Sequence, residues 1–68
     1  MKSVSGKTFC ATLERNGWRL MRIQGSHHIY GREGSIVRIS VPVHGSRALK
    51  QGLLCYLLKC AGLHESDL

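Results

Sequence analysis

The chain has 68 residues and carries ten Lys and Arg against four Asp and Glu, a formal net charge of +6. This length allows one domain, residues 1–68, with a small core, and it excludes a second domain or a deep cleft. The excess positive charge favours nucleic acid as a partner, and an acidic protein is compatible with it. A membrane surface fits less well, because no segment joins a basic face to a wide apolar one.

The three cysteines are an odd number, and their spacing fits no zinc motif. Cys55 and Cys60 fall within an apolar helical pattern, which predicts buried thiols and suits a reducing compartment. No apolar run has the length of a signal peptide or a membrane span. We therefore expect a cytoplasmic protein.

The first elements along the chain are a helix and a strand. Ser5 is a suitable N-cap, because its hydroxyl can accept from the free amides of a first helical turn. An apolar stripe at helical spacing follows, formed by Phe9, Cys10 and Leu13. Gly17 can take the left-handed conformation that ends a helix. The pattern predicts a helix over residues 6–16 and a strand over residues 18–24, whose alternation does not decide the buried face.

The segment Gly25-Ser26-His27-His28-Ile29-Tyr30 joins a tight turn to the start of a second strand. Successive side chains of a strand point to opposite faces, so His27 and His28 cannot share a side. If Ile29 packs inward, His27 goes with it, and His28 and Tyr30 share the solvent-facing side. This predicts a histidine available for proton chemistry, with ordinary strand residues as the alternative.

A hairpin connection at residues 31–34 leads to the clearest strand pattern, residues 36–43. In that segment Val37, Ile39, Val41 and Val43 alternate with Ile36, Arg38 and Ser40. The first set is expected to face the core and the second to face water. Pro42 cannot donate a ladder hydrogen bond, so it indicates a sheet edge or a strand end.

After a turn at residues 44–47, apolar residues recur at helical spacing: Leu49, Leu53, Leu54, Leu57, Leu58 and Ala61. They predict a second helix over residues 49–60, closed by Gly62. Gly52 lowers helix propensity by roughly 1 kcal/mol relative to Ala. It indicates either a close approach of another backbone segment or a position where the helix simply tolerates a glycine. The predicted order is α-β-β-β-α, an α+β fold in which both helices cover one face of a three-stranded antiparallel sheet.

This order and its motifs resemble the HicA toxin family of bacterial toxin–antitoxin systems. The matching segments are Ser5-Gly6-Lys7, Asn16-Gly17-Trp18, Gly25-Ser26-His27-His28-Ile29-Tyr30, Val41-Pro42-Val43-His44-Gly45 and Leu58-Lys59-Cys60-Ala61-Gly62-Leu63. They span nearly the whole chain in the family's order, and the Gly-Ser-x-His strand followed by Val-Pro-x-His-Gly is the most specific part. Where family members often carry several lysines, this chain has Lys50-Gln51-Gly52.

The resemblance implies a fold like the double-stranded-RNA-binding domain and a toxin that cleaves mRNA without metal or cofactor. It also implies inhibition by a HicB-type antitoxin, and we expect the free toxin to be a monomer. The family's catalytic histidine corresponds to His28, the last residue of the Gly-Ser-x-His motif, whereas His27 occupies a more variable position.

Metal-free RNA cleavage uses the 2′-hydroxyl as nucleophile, so it needs a base, an acid and cations that stabilise the charged phosphorane. Histidine suits either proton role, because its unperturbed pKa is about 6.5. No second proton-transfer residue is evident in the sequence. His44 follows the third strand in a turn and is a candidate, with an exposed turn histidine as the alternative, and His64 in the tail is incidental.

Candidates for RNA binding are one aromatic and several basic residues: Arg22, Tyr30, Arg32, Arg38, Arg47 and Lys50. Tyr30 could stack on a base or donate to a phosphate, and the alternative is cross-strand packing. Arg47 and Lys50 lie at a helix start, which favours anions. The four carboxylates are scattered along the chain, so no magnesium site is predicted.

Three functions remain open. The chain is a ribonuclease toxin, a non-catalytic module of the double-stranded-RNA-binding type, or a small domain whose basic face docks an acidic protein. The first requires a proton-transfer residue on the open face of the sheet, and His28 is the candidate. The second requires only cations, and the third predicts no salt-sensitive RNA affinity.

Overall fold

A computed structural model describes residues 3–68. Its elements are α1 (Gly6–Arg15), β1 (Arg19–Gln24), β2 (His27–Gly31), β3 (Ile39–Pro42) and α2 (Gln51–Ala61), followed by a short 3₁₀ helix (Glu65–Asp67). The strands form one antiparallel sheet in the order β1-β2-β3, with β2 in the centre. The predicted α-β-β-β-α order and the α+β class are confirmed.

The two ends of α1 and the C-terminal end of α2 follow local capping chemistry. Ser5 Oγ accepts from the Thr8 amide at 3.1 Å, as the N-cap prediction requires. Gly17 has a φ of 90°, which turns the chain so that the Trp18 amide donates to the Leu13 carbonyl at 3.0 Å. Gly62 adopts the left-handed conformation after α2, with φ 69° and ψ 27°. These glycines are used as predicted, because a side chain at positive φ would be strained.

Both helices pack on one face of the sheet. The core joins Tyr30, Ile39 and Val41 from the strands to Phe9, Leu13, Leu54, Leu57, Leu58 and Ala61 from the helices. We call the opposite side of the sheet the open face. Cys10 is buried, but Cys55 and Cys60 are only half-buried, so the prediction of two buried thiols in α2 is wrong. Across residues 3–68, no helix is long and apolar enough to cross a membrane.

β3 is shorter than predicted, although its alternation is confirmed where it is paired. Ile39 and Val41 are buried, whereas Ser40 is exposed. The predicted start at residue 36 is wrong, because β2 ends at Gly31 and the last pair joins Tyr30 to Ile39. Residues 36–38 therefore have no partner strand, and Ile36 is 97% exposed. The connection predicted as residues 31–34 is a longer loop over residues 32–38.

The prediction of which β2 side chains point toward the core and which toward solvent is wrong. Tyr30 pairs with Ile39 and His28 pairs with Val41, and both partners on β3 are buried. Directly paired residues of antiparallel strands lie on the same face. His28 and Tyr30 therefore face the helices, whereas His27 and Ile29 face the open side. The register with β3 decides this, since Ile29 and Tyr30 are both large enough to fill the core.

The first turn of α1 rests directly on the end of β3. Gly6 is buried, and a Cβ atom there would overlap the Pro42 carbonyl oxygen. Pro42 pairs with His27, so the start of α1 lies near the start of β2. At the other end of α1, Glu14 accepts a hydrogen bond from Tyr30. The helix therefore runs along β2 in the same direction, over the side of the strand that carries His28.

Replacing Gly6 should be costly, whereas replacing a glycine without neighbours should not. We expect Gly6→Ala to lower the free energy of unfolding by about 1–3 kcal/mol, because a backbone carbonyl must move to admit the methyl group. Gly52 lies in α2 with nothing within 4 Å of an added Cβ. Gly52→Ala should therefore raise the free energy of unfolding by about 0.5–1 kcal/mol. Urea unfolding of both variants tests the docking of α1, and equal effects at the two positions would contradict it.

Candidate active site

His28 lines a groove of about 310 Å³ between α1 and the sheet, which we call the His28 groove. The sheet contributes Leu20, His28 and Tyr30, and the helix contributes Lys7, Cys10, Ala11 and Glu14. The helical residues are spaced i, i+3, i+4 and i+7, which places them on one face of α1. His28 is half-buried. The prediction of His28 on the open face is wrong, because β2 turns this residue toward α1.

Lys7 and Glu14 lie at opposite ends of the His28 groove. Seven residues of helix separate them, a rise of about 10 Å. The first turn of α1 lies near the start of β2, and Glu14 is bonded to Tyr30. Lys7, His28 and Glu14 therefore line one groove, with Lys7 and Glu14 about two helical turns apart.

Tyr30 holds Glu14 in place. Its hydroxyl donates to Glu14 Oε2 at 2.7 Å, and only 1% of the residue is exposed. Burial and the hydrogen bond to Glu14 raise the pKa of Tyr30 far above its usual value, so the phenol remains a neutral donor. A buried ring cannot stack on a base, and its hydroxyl is already engaged. The structure therefore favours the alternative stated for Tyr30, a packing residue of the sheet, over a role in RNA binding.

Cys10 lies in the same groove but is poorly suited to nucleophilic chemistry. Burial raises the pKa of its thiol, the interaction with the Tyr30 hydroxyl opposes the shift, and the nearby charge of Glu14 raises the pKa further. The thiolate is the reactive form of cysteine, so a raised pKa keeps this residue unreactive.

The other histidines lie outside the groove. His27 is exposed on the open face, with Nδ1 3.1 Å from Ser40 Oγ. His44 lines a separate pocket beside the start of α2, so the structure does not bring it to His28. The His64 backbone amide donates to Asp67 Oδ2 at 2.8 Å and closes the final 3₁₀ turn. His27 and His28 are thus adjacent in the sequence but lie on opposite faces of the sheet.

Four of the five basic residues predicted to bind RNA occupy two other surfaces. Arg22 and Arg38 line a hollow of about 490 Å³ on the open face, with Ser40 at its edge. Arg47 and Lys50 line the pocket of about 240 Å³ that contains His44. Neither surface includes His28, so the structure does not gather the predicted site residues in one place.

A further basic surface lies next to the His28 groove. Three guanidinium groups, those of Arg19, Arg32 and Arg38, line a hollow of about 540 Å³ that we call the arginine pocket. The Arg32 guanidinium lies 4.4 Å from the centroid of the Trp18 ring, a cation–π contact that fixes its direction. Leu20 lines both the arginine pocket and the His28 groove. The two hollows are therefore neighbours across β1.

The sequence match to known families covers most of this architecture. The model of the HicA toxin of bacterial toxin–antitoxin systems matches residues 6–63 of the 68. The chain belongs to the HicA toxin family. The match runs from the first residue of α1 past the end of α2, and so includes every residue of the His28 groove. No curated protein gives a significant match.

Membership of the HicA family makes this chain a toxin with an antitoxin as its partner. Two groove residues of this toxin, Lys7 and Glu14, are not singled out by sequence reasoning. In the sequence, Lys7 and Glu14 are spaced i, i+7 with Cys10 and Ala11 between them, on a side of α1 that differs from its core positions. This spacing is the feature of the sequence that indicates a shared helix face. In the part of the chain that the structure describes, no three His, Cys, Asp or Glu side chains are grouped as a metal site requires.

Proposed function

We propose that this HicA-family toxin is an endoribonuclease that cuts mRNA and so inhibits translation, with His28 as general acid or base and without a metal. The observation that carries the proposal is the His28 groove, where an imidazole, an ammonium group and a carboxylate belong to residues that line one hollow. The groove volume of about 310 Å³ leaves room for part of a nucleotide. The ribonuclease activity implied by the family resemblance supports the same conclusion.

The chemistry begins with attack of the 2′-hydroxyl on the adjacent phosphate. His28 transfers a proton to or from the reacting oxygens, and the ammonium group of Lys7 stabilises the extra negative charge on the phosphorane. Because these side chains supply both proton transfer and positive charge, the step needs no metal ion. Its products are RNA ends with a 2′,3′-cyclic phosphate and a free 5′-hydroxyl.

RNA is expected to enter from the side of β1. All six residues of this strand are exposed, and Leu20 joins the His28 groove to the arginine pocket. A single strand with one phosphate at His28 can place neighbouring phosphates on Arg19, Arg32 and Arg38. Binding through phosphates gives little base preference, since such contacts carry no sequence information directly.

The catalytic test is His28→Ala. We expect RNA cleavage to fall by about 10²- to 10⁴-fold, as is typical for the loss of one proton-transfer group, while the variant stays folded and binds RNA. The matched control is His27→Ala, since His27 is adjacent in sequence but lies on the open face. Cleavage by this control should be close to wild type, and toxicity in cells should follow the same order.

The same assay is run in EDTA, and the ends of the RNA products are analysed. Cleavage that persists in EDTA and leaves cyclic-phosphate or 3′-phosphate ends agrees with the proposal. Cleavage by His28→Ala at the wild-type rate, or loss of cleavage in EDTA, contradicts it. A wild-type chain that binds RNA but does not cut it is instead the non-catalytic module considered above.

RNA affinity should depend on salt through the arginine pocket. Arg38 is held by bonds from Nη1 to the Ser35 and Val37 carbonyls, at 3.3 Å and 3.1 Å, and it lines both basic hollows. We expect Arg38→Ala to weaken binding of single-stranded RNA and to reduce the slope of log K against log salt by about 0.7. Lys59→Ala, on the exposed side of the last turn of α2, is the control. Salt-independent binding would rule out RNA recognition through phosphates.

The antitoxin partner is proposed to be of the HicB type and to act by covering the His28 groove. The groove opens at the surface, where Lys7, Glu14 and Leu20 are exposed, and a net charge of +6 favours an acidic contact surface on the partner. In a complex of the two proteins, we expect His28 to lose its remaining exposure. A crystal structure in which the antitoxin leaves the groove open to RNA would exclude this steric inhibition.

A further inference from the structure

We propose that Glu14 is the second proton-transfer residue of the site: Glu14 is the general base on the 2′-hydroxyl, and His28 is the general acid at the leaving oxygen. The inference rests on the proposed ribonuclease function and deepens it. It is carried by the geometry of the His28 groove, whose helix wall contains Glu14 and whose sheet wall contains His28.

Tyr30 holds Glu14 over the face of β2 that carries His28. The Glu14 carboxylate accepts from the Tyr30 hydroxyl at 2.7 Å, and Tyr30 is two residues from His28 on the same face of β2. Residues at that spacing have Cα atoms about 6.6 Å apart. Glu14 is nevertheless exposed. Its carboxylate is anchored by one hydrogen bond and remains accessible to a ligand in the groove.

Attack in line with the leaving group requires proton transfer at two places. The 2′-oxygen approaches one side of the phosphorus while the 5′-oxygen leaves from the other, so the base and the acid must face the phosphate from different directions. A groove with a carboxylate on the helix wall and an imidazole on the sheet wall meets this requirement. Lys7, at the far end of the same helix face, supplies the charge for the non-bridging oxygens.

The proton balance of this step is complete within the site. The Glu14 carboxylate takes the proton from the 2′-hydroxyl, the bond from the 2′-oxygen to phosphorus forms, and the bond from phosphorus to the 5′-oxygen breaks. The leaving oxygen takes a proton from the His28 imidazolium. An ionised carboxylate is the ordinary base at neutral pH, and an imidazolium is the ordinary acid.

The remaining carboxylates are placed elsewhere. Glu33 lines the arginine pocket, Asp67 accepts from the His64 amide, and Glu65 lies in the final 3₁₀ helix. The other titratable groups that line the His28 groove are Lys7, Cys10 and Tyr30. The pKa values of Cys10 and Tyr30 are both raised, so neither residue accounts for an acidic limb in the pH profile of cleavage.

The decisive variant is Glu14→Gln. The amide keeps the size of the side chain, and its oxygen still accepts from Tyr30. We expect the rate of RNA cleavage at saturating RNA to fall by about 10²- to 10⁴-fold with RNA affinity retained, and the acidic limb of the pH–rate profile to disappear. Glu14→Asp, which restores a shorter carboxylate, should recover part of the rate together with that limb. Glu65→Gln, in the final 3₁₀ helix and outside both hollows, is the control and should cleave like wild type.

Tyr30→Phe separates positioning from catalysis. The ring still fills the core, but the carboxylate of Glu14 loses its anchor, so we expect a smaller loss in rate with the acidic limb retained. Circular dichroism and thermal unfolding confirm that each variant is folded.

Cleavage by Glu14→Gln at the wild-type rate, beside an inactive His28→Ala, overturns the role of Glu14 and leaves the proposed ribonuclease intact. An equal loss of RNA affinity and rate in Glu14→Gln also overturns it, because the residue would then only support binding. If wild type does not cut RNA under any condition, the proposed function itself fails, and this inference fails with it.

Discussion

The docking of α1 along β2 is the constraint on which the rest of the structure depends. At one end, Gly6 allows the helix backbone to meet the Pro42 carbonyl, and at the other end Tyr30 bonds to Glu14. Between these contacts, Phe9 and Leu13 are completely buried. A helix fixed at both ends cannot slide or rotate, so the side chains beside its buried stripe have defined positions over the strand.

One helix thereby serves both the core and the candidate site. The period of 3.6 residues directs Phe9 and Leu13 inward and places Lys7, Ala11 and Glu14 on a separate, exposed side of the helix, with the buried Cys10 between the two. A small residue at Ala11 leaves space in the middle of the His28 groove, and charged residues occupy its ends. The chain has only 68 residues. A candidate site formed between the side of a helix and a strand needs a smaller core than a deep cleft would.

The sequence predicts those features that depend on neighbouring residues. The N-cap at Ser5 and the terminating glycines Gly17 and Gly62 follow from the chemistry of single turns, and the structure confirms all three. The facing of β2 depends instead on its register with β3, which no residue within the strand decides. That His28 and Glu14 line the same groove also depends on where α1 lies, so it could not be obtained from a pattern along either element alone.

Both outer strands of the sheet have features that oppose edge-to-edge strand pairing between two copies of the protein. A free strand edge is a template for pairing with a further strand, and natural proteins block it with charge, bulges, proline or short length. β1 carries Arg19 and Arg22, and its register shifts between Leu20 and Arg22. β3 has four residues and ends at Pro42. The bulge and the two arginines of β1 thus oppose aggregation at the same edge of the sheet where the proposed RNA surface lies.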